Sequence, residues 1–469
     1  MQKKSVTAIF GPPGTGKTYA LVDVVRDELK RTPNIVFLSF TRSAAAEALS
    51  RIDTDAVKVS TLHSLAFNLT GVNRASVIDR RKLAAFGRAA GITFRGMDDT
   101  TEVQEGDDYL ATLQYARNTQ IGPWEAYDHH GRPGQVDRFK MFLFSYAEWK
   151  KTYGYLDFDD MLEGLTKLPS KSVPTREVVI LDEAQDCSRL QWGAFEVVTS
   201  KAQRVYVAGD DDQAVYQWSG ANPHGMSEFT DKHSGSWRVL SKSYRLPRSV
   251  WEFSQSLLSR ISKRTEKSFE PTADQGSVIR HGDVELLDWS KISESDVMFL
   301  VRDNYRLREI QKILHAERVP YTINGDHISP YENRWATAIR GVDRIRAGDE
   351  PTDGERDAMM TYGKPDVQRA ASARKWADIK GKWKSALAMP PRLMLFYETA
   401  DLYAPLRLRL STIHQAKGQE EKNVVVDLTM SPRVEQGAYQ DMDAELRVMY
   451  VAVTRAKQRL ELCGDNLLI

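Results

Sequence analysis

Cysteine is almost missing from this chain: two residues, Cys187 and Cys463, in 469. Two thiols support neither a disulfide framework nor a cysteine-built metal cluster, and they suit a reducing compartment. An excess of either charge is missing as well. Lysine plus arginine number 65 against 64 aspartate plus glutamate, so any nucleic-acid contact must come from local patches and not from the overall field. No apolar run is long enough to cross a bilayer. The opening residues, MQKKSVTAIF, run straight into a glycine-rich stretch, so no secretory leader is expected. A soluble intracellular protein with no membrane partner is expected. Its length exceeds what one core serves and suggests about two to four domains.

What is present begins with GPPGTGKT at residues 11–18. It follows a short apolar run (Val6, Ala8, Ile9, Phe10) and precedes a helical pattern from Tyr19 to Lys30. Strand, loop and helix in that order, with Gly11, Gly16, Lys17 and Thr18 at the fixed positions, fit a phosphate-binding loop. A polyphosphate wants backbone N–H donors at the positive end of a helix dipole. Lys17 adds a point charge, and the Thr18 hydroxyl is suited to Mg²⁺. A glycine-proline turn before a helix is the bland alternative. The spacing favours a nucleoside triphosphate site.

Strand and helix patterns then alternate, which predicts α/β architecture with parallel sheets covered by helices. Residues 35–40 read as a strand, 44–49 as a helix and 57–59 as a strand. Thr41, Arg42, Thr61 and His63 fall just after strands, where ligands of such sheets sit. Residues 73–149 break the alternation with basic and aromatic helical runs and read as an insertion. Residues 177–181 form a continuous apolar run of the buried-strand kind, ending in Asp182 and Glu183. Beside a phosphate loop, Asp182 is assigned to the metal and Glu183 to activation of the attacking water. After the next strand, GDDDQAVYQWSGA (209–221) offers Gln213 as a γ-phosphate sensor. It also offers Tyr216 and Trp218 as stacking faces on an extended stretch.

In the second half, runs at 297–301, 319–323, 408–412 and 423–426 predict another parallel sheet, with a turn at Asn324 and Gly325. Residues 329–404 read as a second, smaller helical insertion. Trp376 and Trp383, seven apart, share a face there if the helix survives Gly381, and read as core more readily than as a stacking platform. Arg245 and Arg455 lie in the half of the chain opposite the phosphate loop and read as arginine fingers.

The ordered set of motifs resembles the UvrD/Rep-type helicases of superfamily 1A. It comprises GPPGTGKT, FTRSAAAEALSRI from Phe40, TLHSLA from Thr61, LDEAQD from Leu181, GDDDQAVYQWSGA, SYR from Ser243, TIHQAKGQE from Thr412 and LRVMYVAVTRAK from Leu446. The resemblance implies two RecA-like domains, each with a mainly helical insertion. The first comprises 1–72 and 150–240, with 73–149 inserted. The second comprises 241–328 and 405–469, with 329–404 inserted. It implies an ATP-dependent helicase or single-stranded DNA translocase moving 3′ to 5′, using ATP and Mg²⁺ and acting on single strands and duplex junctions. A monomer in a bacterial cytoplasm or nucleoid, or of phage origin, is expected. Lys17, Asp182, Glu183, Gln213, Arg245 and Arg455 are the implied catalytic set, with Thr18 and Asp182 on the metal. Nucleotide contacts fall to Gly11, Pro12, Pro13, Gly14, Thr15, Gly16, Lys17, Thr18, Tyr19 and Arg42. They also fall to Tyr244 on the base, Arg245 and Arg455 on phosphate, and Gly418 with Glu420 at the ribose. Thr41, Thr61, His63, Tyr216, Trp218, Thr412 and His414 are the implied DNA contacts.

Three departures from the family pattern stand out. The adenine-reading glutamine segment upstream of the loop has no counterpart unless Gln2 serves. The second insertion is short. Gln419-Glu420-Glu421 replaces an apolar-Glu-Phe continuation. Rival readings are a translocase that unwinds little and a nucleotide-gated scaffold without catalysis; the second is disfavoured because no catalytic carboxylate or arginine is missing. A fused nuclease is not expected after Arg455.

Overall fold

Twelve strands, all paired in parallel, form two sheets in a computed structural model that describes residues 4–52, 54, 56–95, 104–292, 294–324 and 329–464. The positions Gln2 and Gly325 lie outside the described residues. The strands of the first sheet are β1 (Ser5–Phe10), β2 (Ile35–Ser39), β3 (Val57–Thr61), β4 (Val178–Asp182), β5 (Arg204–Gly209) and β6 (Ser236–Val239), in the order β3-β2-β4-β5-β1-β6. The central strands β2 and β4 are buried throughout while β6, at the edge, is exposed throughout. That is why 35–39 and 178–182 read as unbroken apolar runs: helices cover both faces. One face packs on Val22, Val25 and Ala48, the other on Leu62, Leu65, Leu162, Phe195 and Phe229.

The second sheet holds β7 (Ser277–Arg280), β8 (Val297–Val301), β9 (Tyr321–Ile323), β10 (Leu408–Thr412), β11 (Glu421–Asp427) and β12 (Ala456–Cys463), ordered β7-β12-β11-β8-β10-β9. The two sheets belong to two units. The first takes in the chain up to Arg245 together with Ile261–Thr272 and Asp443–Arg447. The second holds Leu246–Arg260, Ala273–Met442 and the chain from Val448 onward. Both are parallel-sheet units, as the strand pattern predicted, and RecA-like, as the resemblance implied. Cys187 is buried in the first unit and Cys463 in the second. No helix among the described residues is long and apolar enough to cross a membrane.

Each unit carries helices beyond its sheet. In the first, helices Arg80–Ala90, Glu105–Thr119, Pro123–His129 and Val136–Tyr153 enclose an aromatic core of Phe86, Phe94, Tyr109, Tyr127, Phe139, Phe142 and Tyr146. In the second, helices Arg334–Arg346, Asp353–Tyr362, Pro365–Ser372 and Pro391–Thr399 share one core with the sheet, Ile339, Met359 and Tyr397 joining Phe299, Tyr321 and Leu410. The expected common helix face for Trp376 and Trp383 is not formed. Gly381 sits at φ +86, between a short 3-10 turn at Trp376–Asp378 and a separate helical turn at Trp383–Ala386. Both indoles are half-buried against that core, the packing role expected of them.

Candidate nucleotide site

Because the strands are parallel, their carboxyl ends fall along one edge and gather residues far apart in sequence. At the end of β1 the loop turns into helix Lys17–Leu29, whose first residues have no side-chain cap and no acidic neighbour in the first turn. The N–H groups at that positive end therefore remain suited to an anion. Gly14 is at φ +71, and a Cβ there would lie 2.3 Å from Cβ of Arg245, so only glycine admits this approach. Ser243 Oγ donates to the Pro13 carbonyl at 2.8 Å, and the Tyr244 N–H donates to the Gly14 carbonyl at 2.8 Å. This corrects the expectation that Arg245 comes from the opposite half. Its backbone belongs to the first unit, tied to the phosphate loop by its two predecessors.

Lys17 Nζ lies 2.6 Å from Glu183 Oε1. Burial alone would lower the Lys17 pKa, but Glu183 and Asp182 outweigh it and hold the ammonium above its ordinary value. Asp182, the last residue of β4, is buried and accepts from Thr18 Oγ1 at 3.3 Å and from the Glu183 N–H at 2.8 Å. Burial pushes its carboxyl up to about 6, against the pull of Lys17. A hard cation needs few protein oxygens because water and phosphate supply the rest. Thr18 and Asp182 therefore fit Mg²⁺. Glu183 adopts φ +55, a left-handed backbone uncommon outside glycine, where the chain leaves β4 for a 3-10 turn.

A hydrogen-bonded line continues from there. Gln185 Nε2 donates to Glu183 Oε2 at 2.6 Å, while Gln185 Oε1 accepts from the Asp210 N–H at 3.1 Å. Asp210 Oδ2 accepts from Gln213 Nε2 at 2.7 Å. Lys17, Thr18, Asp182, Glu183 and Gln213 are thus linked along one line of contacts. Sequence reasoning missed Gln185 and Asp210, although a glutamine between two acids and three consecutive aspartates were visible signals. It also missed Lys267, for which no local signal exists.

Among the described residues, one group of acids comes close enough to hold a metal: Asp210, Asp211 and Asp212. The Lys267 ammonium already fills it, 2.9 Å from Asp210 and from Asp212 and also paired with Asp211. Arg264 binds Asp212 with two nitrogens at 2.9 and 2.7 Å, and the buried Arg447 donates to the Asp211 carbonyl.

The remaining expected positions vary in exposure. Tyr19 is exposed with the Arg51 guanidinium 4.1 Å over its ring, Tyr244 is exposed, and Arg42 is exposed at the start of helix Arg42–Ile52. The Thr41 hydroxyl accepts from the Ala44 N–H. Thr61 and Thr412 are buried, and their hydroxyls accept from the Ser64 and Gln415 N–H groups, where each chain turns out of its strand. His63 meets the Phe158 ring edge-on, and burial lowers it to about 4, so it is neutral near pH 7. His414 is half-buried.

The extended stretch expected for Tyr216 and Trp218 is instead a 3-10 turn, Gln217–Ser219, closed by Gly220 at φ +95. Tyr216 therefore packs against Phe40, with ring centroids 5.3 Å apart, while Trp218 stands exposed.

In the second unit, Gly418 is exposed in a left-handed turn and Glu420 Oε1 is 2.5 Å from Lys457 Nζ. Arg455, just past helix Met442–Val453, is buried and donates to the Val451 and Gln419 carbonyls. The polar Gln419 is accommodated by Asn324 at 3.0 Å and by the Gln415 carbonyl.

The UvrD/REP helicase N-terminal domain model matches residues 2–234, and the UvrD-like helicase C-terminal domain model matches 398–464. This chain belongs to the UvrD/Rep helicase family. Similar relatives include ATP-dependent DNA helicase Rep of Escherichia coli (strain K12), 24% identical over 386 residues, covering 69% of this chain and 54% of that protein. Rep of Buchnera aphidicola subsp. Baizongia pistaciae (strain Bp) is 24% identical over 371 residues, with 69% and 54% covered. PcrA of Bacillus subtilis (strain 168) is 25% identical over 375 residues, with 69% and 50% covered. This UvrD/Rep chain therefore spans about half the length of the relatives it matches.

Proposed function

We propose that the chain hydrolyses ATP with Mg²⁺ and uses turnover to step along single-stranded DNA, 3′ to 5′, separating strands at duplex junctions. The observation that carries the reading is the gathering of Lys17, Thr18, Asp182, Glu183 and Gln213 at one strand-end edge. Mg²⁺ would be held by Thr18 and Asp182 and would neutralise phosphate charge. Lys17 exchanges its pairing with Glu183 for the β- and γ-phosphates, which frees the carboxylate to take the proton of the attacking water. Arg245 and Arg455 are assigned to transition-state charge, Tyr244 to the base and Glu420 with Gly418 to the ribose. The strand is assigned to Trp218 and Tyr216 by stacking and to Thr41, Thr61, His63, Thr412 and His414. The division into two RecA-like domains with insertions at 73–149 and 329–404 belongs to the same reading, as do monomeric state and a cytoplasmic site of action.

A translocase with little unwinding is the second reading, favoured by the short second insertion whose apolar faces are consumed in the sheet core. Phosphate release titrated in parallel with single-stranded DNA, RNA and duplex tests the proposal, alongside a fluorescent unwinding assay. Single-stranded DNA should stimulate turnover, and Lys17→Ala or Glu183→Gln should abolish it with the fold intact. Parent-rate hydrolysis by Glu183→Gln would remove the base assignment, and the absence of strand stimulation would remove the motor.

A further inference from the structure

We infer that Lys267 is a positioning residue for nucleotide turnover, acting through Asp210 to fix which end of the Gln213 amide faces the phosphate site. The inference rests on the proposed role of Gln213 and adds to it a residue from a remote stretch, Ile261–Thr272, that packs with the first unit. Lys267 is almost wholly buried, and its three N–H donors meet three carboxylates. Asp210 is fully buried, and its two oxygens serve three partners, one of them the Asp212 N–H, which donates to Oδ1 at 3.3 Å. Oδ1 lies 2.9 Å from Lys267 Nζ, and Oδ2 accepts from Gln213 Nε2 at 2.7 Å.

An ionised carboxylate only accepts hydrogen bonds, so the nitrogen of the Gln213 amide must face it. The carbonyl oxygen is then the end turned away from Asp210. That polarity suits Gln213 to accept a hydrogen bond from an attacking water, the water-orienting role glutamine plays in other phosphoryl-transfer sites. The 3-10 turn Asp211–Gln213, closed by the Gln213 N–H on the Asp210 carbonyl at 2.8 Å, holds donor and acceptor in register.

Without the ammonium, three adjacent buried aspartates cannot all stay charged. A protonated Asp210 can donate as well as accept, and the amide loses its single orientation. Burial would lower the Lys267 pKa, but the three aspartates outweigh it and keep the ammonium charged. Arg264 serves a different member of the group, Asp212, which does not hold Gln213.

The test measures kcat and KM for ATP at saturating oligothymidylate, with a melting midpoint for every variant. Lys267→Met should lower kcat roughly 10–100-fold, the usual cost of losing a partner that orients a functional group, with KM for ATP little changed. Should that variant fail to fold, Asp210→Asn decides, because an isosteric amide accepts either orientation of Gln213 and should lower kcat in the same way. In the Asp210→Asn background, Lys267→Met should add much less than it does alone. Arg264→Gln should lower the midpoint and leave kcat near the parent value. Unchanged kcat in Asp210→Asn, equal losses in kcat and ATP affinity, or full additivity of the two changes would overturn the inference. A parent chain that does not turn over ATP would instead overturn the functional reading beneath it.

Discussion

The two sets of helices added to the sheets are built on opposite plans. Helices of residues 80–153 keep an aromatic core of their own and meet the rest of the first unit through charged and polar side chains. Arg117 reaches Asp157 at 2.8 Å, Asp160 at 2.6 Å and Glu163 at 2.7 Å; Lys150 reaches Asp157 and Asp160; Ser188 Oγ donates to Asn118 Oδ1 at 2.7 Å. Helices of residues 334–399 have no separate core among the described residues and complete the face of the second sheet. An addition with its own core can loosen without taking the sheet with it. One that supplies half of the sheet's core cannot.

Matched core truncations put this contrast under the largest strain. Phe142→Ala and Phe299→Ala each delete a fully buried ring and should each cost about 3–5 kcal/mol. In the first case, hydrogen exchange should show protection lost within residues 80–153 while nucleotide still binds. In the second, the sheet and helices 334–399 should lose protection together. Loss of nucleotide binding in Phe142→Ala would erase the distinction.

Arg117→Met should come next, at about 3 kcal/mol, because it strips a partner from buried carboxylates. Its signature is early proteolytic cleavage within the first addition, with exchange in the second sheet unchanged.

Asp159 gives a smaller effect with a definite sign. Burial raises its carboxyl from 3.8 to about 7, Arg117 pulls it down, and Asp157, Asp160 and Glu163 push it further up. Between those two values the folded chain holds a proton that the unfolded chain has released, so stability falls as pH rises from about 4 to about 7. Asp159→Asn should therefore raise the melting midpoint at pH 8 and leave it nearly unchanged at pH 4. An equal gain at both would refute the assignment.

Smallest of all, Phe144→Ser and Leu395→Ser, at rings and chains 73% and 68% exposed, should each stay within about 0.5 kcal/mol. A larger loss at either would mean that side chain is covered in solution.

The parts of the fold that were legible were those whose cause is local. β2, β4 and β8 stand out because burial on both faces demands unbroken apolar runs. The phosphate loop stands out because its spacing is set by a single turn of backbone. Errors arose where a short spacing has two geometric meanings. Tyr216 and Trp218 alternate as in a strand, yet the chain curls into a 3-10 turn. Trp376 and Trp383 are a helical repeat apart, yet Gly381 separates them. Arg245 was assigned by its place in the chain, whereas hydrogen bonds from Ser243 and Tyr244 decide where it goes. The Lys267 ammonium among three aspartates joins stretches that no window of sequence contains together, because only folding brings them within reach.

The scarcity of cysteine has a practical side. Cys187 and Cys463 are both sequestered, one in each unit, and burial holds the Cys463 thiol far above its ordinary pKa. A thiol-reactive dye should therefore stay silent on the native chain and label each position only when its own unit opens. The wild-type sequence thus carries two internal clocks, one per unit, readable by peptide mapping without engineering a probe.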